Sequence, residues 1–144
     1  MTGTVDNAAS QVLKNISYDG LQMSFTNSDT VALTQGQEVI LHTDGTIKKR
    51  SAGTEKPLGI IIVPADATKR ATVRTNFQAE INGIAKGGTI NAGEFVVPNG
   101  NKDADGYPEY VAAAAGDFVN AQVIKGGAVD SFIKIGILSS TFKL

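Results

Sequence analysis

The chain has 144 residues, a formal net charge of −1, 42% hydrophobic and 19% charged residues, and no cysteine. That balance supports a packed core and excludes the disordered class for most of the chain, along with disulfides, thiolate metal sites and cysteine catalysis. A near-neutral chain without a basic excess also argues against a nucleic-acid binder or a module drawn to an anionic membrane, and no apolar run approaches the roughly 18 residues of a membrane-spanning helix.

Residues 1–17 are polar and small. Only Val12, Leu13 and Ile16 could form an apolar stripe there, one helical turn long. This reads as a flexible N-terminal arm, either loose or ordering on a partner, ahead of a single β domain over residues 18–144. The segment has neither the basic start nor the apolar stretch of a signal peptide.

From Tyr18 the period changes. Leu21, Met23 and Phe25 alternate with polar residues, as in a half-buried strand. Asn27-Ser28-Asp29 reads as a turn, Val31 and Leu33 as a short strand, and Gln35-Gly36-Gln37 as another turn. The run around Val39 and Leu41 meets Asp44-Gly45, a strong hairpin signal because both residues tolerate positive φ. Thr46-Ile47-Lys48 returns, with Lys48, Lys49 and Arg50 expected on a wet face or exposed edge. Leu58–Val63 is a continuous apolar run expected to be covered on both faces, and Pro64 stops it.

Ala71–Thr75 and Phe77–Ile81 read as two alternating stretches or as one long bent strand. Gly83 and Gly87-Gly88 read as turns. Glu94–Val97 is a strand, Pro98–Tyr107 a polar loop with Asp105-Gly106, and Tyr110-Val111 a resumed strand. Ala112–Ala115 favours helix by propensity but is too short to hold one. Phe118, Ala121 and Val123 lead to Gly126-Gly127, then to Phe132–Leu138 as a second fully buried strand. Phe142 and Leu144 are expected to close the core. The fold class that results is all-β: a small β-barrel or β-sandwich of many short strands with glycine-rich turns.

Two parts of the chain echo each other. Thr34–Val39, Asp44–Ile47 and Leu58–Ile61 are followed, in the same order of features, by Asn91–Val96, Asp105–Tyr107 and Ile135–Leu138. The echo reads as an internal pseudo-repeat, or as two hairpins built by the same grammar.

The residues offer little chemistry. His42 lies near Asp44, but no Gly-x-Ser-x-Gly elbow flanks any serine, and Asp44 is better explained as a turn former. Asn101, Asp103, Asp105 and Gly106 match the first half of a calcium loop, yet Ala112 stands where the bidentate acid belongs. The basic clusters Lys48–Arg50 and Lys69-Arg70 with Arg74 read as solvated strand ends. Gly87-Gly88 and Gly126-Gly127 lack the Lys-Ser or Lys-Thr of a phosphate loop. No catalytic, cofactor-binding or metal-ligating residue is assigned, and the protein is expected not to be an enzyme.

The order of Gly36–Leu41, Asp44–Lys48, Lys56-Pro57-Leu58-Gly59-Ile60, Ala71–Thr75, Ile90–Val97 and Ile135–Leu138 resembles the decoration (cement, or auxiliary head) proteins of tailed-bacteriophage capsids. The resemblance spans roughly residues 30–140. The polar N-terminal arm and the inserted-looking loop Asn99–Pro108 depart from it. What it implies is a structural virion protein on the capsid exterior that binds the major capsid protein, stabilises contacts between its subunits, and forms a homo-trimer or another self-association, with no nucleic acid, membrane or cofactor. The alternative is an adhesive or carbohydrate-binding β module of a fibre or surface protein, which the absence of Trp supports poorly.

Overall fold

The computed structural model describes residues 21–75 and 79–144. The arm expected over residues 1–17 lies outside them. The fold is all-β, with ten strands and no helix among the described residues. They are β1 (Leu21–Thr26), β2 (Glu38–Leu41), β3 (Ile47–Lys49), β4 (Gly59–Val63), β5 (Arg70–Thr75), β6 (Ala79–Ala85), β7 (Val96–Lys102), β8 (Pro108–Ala112), β9 (Phe118–Lys125) and β10 (Phe132–Lys143). The first five make one sheet in the order β1-β5-β4-β2-β3, and the last five a second in the order β7-β8-β6-β10-β9.

The two sheets are copies of one plan. Taking β1 to β5 as equivalent to β6 to β10, both follow the same cyclic order. Each curls until its end strands meet: Asn27 bridges Ile47 in the first sheet, and Phe95 bridges Gln122 in the second. The backbone bonds repeat position by position. Gly36 N–H donates to Ile61 O at 2.9 Å, and Gly93 N–H to Val123 O at 2.8 Å. Arg50 N–H donates to Glu38 O and Ala113 N–H to Phe95 O, both at 2.9 Å. Ser28 N–H to Ile47 O and Lys86 N–H to Tyr110 O are both 2.8 Å. Among the described residues, even the two non-glycines with positive φ, Thr68 (68°) and Asp130 (66°), fall at matching places. The echo in the sequence is therefore a structural duplication. Its last piece was misaligned: β4 corresponds to β9, not to β10, and β10 corresponds to β5.

Each half carries its own core. Leu33, Val39, Ile47, Ile61, Ala71 and Val73 pack together in the first, and Ile90, Val96, Tyr110, Val123, Ile133 and Ile135 in the second. Apart from Leu33 and Ile90, which sit at isolated bridges, these are the inward positions of alternating strands, which is why period-2 patterning located most of them.

Several expectations change. β7 takes up the first part of the expected loop, as far as Lys102, and leaves 103–107 as the turn: Pro98 pairs with Tyr110, and a register shift before Lys102, with Gly100 at φ 86°, lets the ladder resume. Gly83 is no turn; it pairs with Ile133 inside β6. A Cβ there would come within 2.9 Å of Ile135 Cδ1 and 3.0 Å of Tyr110 Cδ2, so glycine makes room for the tyrosine ring. β10 is buried on one face only, with Phe132 58% exposed. Phe142 and Leu144 are exposed and do not close the core, although Phe142 meets Phe95 edge-on with ring centroids 5.1 Å apart. Ala71–Thr75 and Ala79–Ile81 belong to different sheets.

Candidate interaction surface

The sequence pointed to three places where chemistry could gather, and the structure resolves each into architecture. At the β2–β3 turn, Asp44 Oδ1 accepts from Thr46 Oγ1 at 2.7 Å and Thr46 N–H at 3.0 Å. The Thr46 hydroxyl and amide hold the Asp44 carboxyl below the usual aspartate range. Asp44 is thus the turn residue expected, engaged locally beside His42.

At the β7–β8 hairpin, Asp103 Oδ1 accepts from the amides of Asp105 (3.0 Å) and Tyr107 (2.9 Å), and Asn99 Oδ1 from the amide of Asn101 (2.9 Å). Of the acids of the half-calcium motif, Asp103 turns inward on its own backbone, while Asp105 is exposed. Among the described residues, no group of three or more His, Cys, Asp or Glu side chains could hold a metal ion.

The basic cluster Lys48–Arg50 divides. Arg50 was expected on a wet face but is 1% exposed. Its Nη1 lies 3.0 Å from Glu38 Oε1, its Nε donates to Glu55 O at 2.8 Å, and its Nη2 donates to Gly53 O at 3.0 Å and to Phe118 O. Tyr110 completes the cluster from the other half, donating its hydroxyl to Glu38 Oε2 at 2.9 Å. Burial, with the Glu38 carboxylate beside it, pushes the Tyr110 phenol well above its ordinary range. This network stitches the two sheets together, and every group in it is spoken for by another residue of the chain.

What remains open is the surface. On the outward face of β10 Phe132 is 58% exposed, and beside it Tyr107, just before β8, is 37% exposed. Their rings meet edge-to-face, with centroids 4.9 Å apart at 85°. Ile84, opposite Phe132 in the ladder, shares that face and is nearly buried. Beside it Lys86 Nζ sits 2.7 Å from Asp130 Oδ1 and 3.7 Å from Glu109 Oε2, and the bond from Asp130 raises the Lys86 pKa. Glu80 and Lys134 pair at 3.1 Å on the same sheet. A shallow cleft of about 320 Å³ adjoins the patch where the halves meet, lined by Gln35, Ile62, Arg74, Glu80, Asn82 and Tyr107. Contiguous exposed aromatics with a polar rim are the usual mark of a contact surface, whereas scattered apolar residues are normal. Sequence reading missed this patch. Phe132 stands in a run whose composition reads as fully buried and Tyr107 at the end of a polar loop, and only pairing across strands brings them together.

No family model matches the chain, and no curated protein matches it. Its fold is shared with a solved structure, the N base of the head fibre gp8.5 of bacteriophage phi29. The likeness covers 86% of this chain and 100% of that one, at 16% sequence identity and a TM-score of 0.51.

Proposed function

We propose that this protein is a structural component of a tailed-phage head, bound to the outside of the capsid, where it stabilises contacts between major capsid subunits. The observation that carries the reading is the fold: the duplicated body matches the whole of a phage head-fibre base. The surface agrees with it. The polar groups at the joint are consumed in holding the halves together, and the apolar material is displayed outward on a rigid sheet. In this reading the protein catalyses no reaction; it contributes area. A molecule lying across two shell subunits adds an interface that must break before they separate, and a standard interface buries about 1,600 Å² in total. Repetition over the shell multiplies a modest affinity at each site.

An adhesive or carbohydrate-binding module remains the second reading, and the exposed Tyr107–Phe132 pair is what favours it. Its weakness is geometric: rings at 85° to one another cannot both lie flat against a sugar. The deciding experiment mixes the purified chain with mature shells of its own virus and with unexpanded precursor shells, then pellets both. The chain is expected to pellet with mature shells. Binding to neither shell would overturn the proposal.

A further inference from the structure

The duplication supplies its own control for the aromatic patch. On β6 and β10 the outward positions are Asn82, Ile84, Phe132 and Lys134, with Tyr107 at the hairpin exit. The equivalent positions of the first half are Ser24, Thr26, Arg70 and Thr72, with Thr46 at the hairpin exit. The backbone ladder is the same and the inward face is a core in both halves, but the five matching positions of the first half are all polar. The fold therefore does not require apolar residues at these positions. Ile84, Phe132 and Tyr107 stand where Thr26, Arg70 and Thr46 serve the sister half.

The halves also differ in charge. Residues 21–75 carry seven Lys or Arg against five Asp or Glu, while residues 79–144 carry five against seven. Glu80, Asp103, Asp105, Glu109 and Asp130 lie around the patch, and Lys86 and Lys134, paired with three of them, leave the rim with a net acid excess. On the first half the exposed Arg70 is spread over β1: its Nε donates to Ser24 Oγ at 3.0 Å, its Nη2 to Ser24 O at 2.7 Å and its Nη1 to Thr26 Oγ1 at 3.4 Å. One face is thus a presented guanidinium among hydroxyls. The other is a pair of exposed rings in an acidic rim.

We propose that these two faces are complementary and that the Tyr107–Phe132 face of one copy receives the Arg70 face of a second copy of the same chain. A guanidinium placed over an aromatic ring is attracted by the ring's negative face, and the opposite net charges of the halves orient the approach. Because the contact joins two different faces, it is head-to-tail. Each added copy leaves one free face of each kind, so the assembly grows until geometry closes it into a ring. This contact is a property of the chain alone and does not depend on what it binds.

Sedimentation of the full chain at low ionic strength, from micromolar to about 1 mM, covers the range in which a weak specific contact becomes populated. The average mass is expected to rise above 15.0 kDa with concentration and to fall back on adding salt. Phe132→Ser and Arg70→Glu should each hold the chain at monomer mass. Tyr107→Thr, which installs the residue of the sister half, should weaken association by roughly tenfold, the scale of a lost aromatic contact. Far-UV circular dichroism and the urea midpoint check that each variant folds; the polar residues Arg70 and Thr46 at the matching positions of the first half predict that the Phe132 and Tyr107 variants do. An equimolar mixture of Phe132→Ser and Arg70→Glu chains retains one good face on each, so it should form dimers and stop there.

A wild-type chain that stays monomeric across the range overturns the proposal, as does an Arg70→Glu chain that associates like wild type. A monomeric chain whose Phe132→Ser variant no longer pellets with shells would assign the patch to the shell instead. One whose variant loses a glycan-array signal would assign it to a sugar. Either outcome refutes the copy-to-copy contact.

Discussion

Glu38, Arg50 and Tyr110 form a buried ionic cluster in a small β protein, and the energetics of such clusters are lopsided. Removing two charges from water consumes most of what their attraction returns, so an intact pair adds little net stability, whereas losing one member strands a charge at a cost of about 3–5 kcal/mol. Tyr110 gives the cluster a pH signature. Its phenol is held protonated when folded, well above the ordinary value of 10.0 that applies in the unfolded chain. The folded state thus keeps a proton that the unfolded state releases. The contribution is complete below pH 10 and falls away as the pH rises beyond it. Tyr110→Phe should lose about 1–3 kcal/mol at neutral pH, because Glu38 Oε2 is left without its donor. It should also flatten the decline in stability above pH 10, which urea titrations at pH 7, 10 and 11 would measure. A variant that loses no stability at pH 7 would show that the hydroxyl is not needed there. None of this was legible locally. Arg50 follows two lysines at a strand end, and the cluster joins distant positions: Glu38 is 12 positions from Arg50 and 72 from Tyr110 along the chain.

Hairpins and turns were the most readable elements, because their constraint is local. Asp-Gly predicted both chain reversals, and Gly45 and Gly106 adopt φ of 83° and 89°. Gly36 and Gly93 do the same for the matching turns that precede β2 and β7. Strand β7 was harder to see, since Pro98 and Gly100 punctuate a sequence whose ladder survives through a bulge. The Thr68 turn was not visible at all. A β-branched residue at φ 68° is strained, because its side chain crowds the backbone in the left-handed region. Thr68→Gly relieves that strain while freeing the unfolded chain, so the expected result is a net gain of up to about 1 kcal/mol. Chemical denaturation of the variant beside wild type measures it, and a loss would mean that the threonine makes a contact worth more than the strain. The matching change at Asp130 would also remove the partner of Lys86, so Thr68 is the cleaner position.

At the scale of the molecule, the repeat was only half legible. The turn–strand–hairpin block aligned correctly, but the following Gly-Ile motif of β4 was matched to β10. Residue type alone cannot distinguish one apolar strand from another; pairing can, and Ile61 and Val123 occupy the same place against Val73 and Ile135. Identical cyclic order nevertheless hides one asymmetry. The first sheet is laddered between β2 and β4 and closed just past the end of β1 by the single-pair Asn27–Ile47 bridge to β3. The second is laddered between β6 and β8 and closed just before β7 by the single-pair Phe95–Gln122 bridge to β9. Sister barrels are thus fastened along different staves, and transient opening should begin at a different place in each. Deuterium uptake followed at single amides should find Ser28 exchanging faster than its counterpart Lys86, and Val123 faster than its counterpart Ile61. Equal rates within both couples would mean that the two halves breathe alike despite their different fastenings.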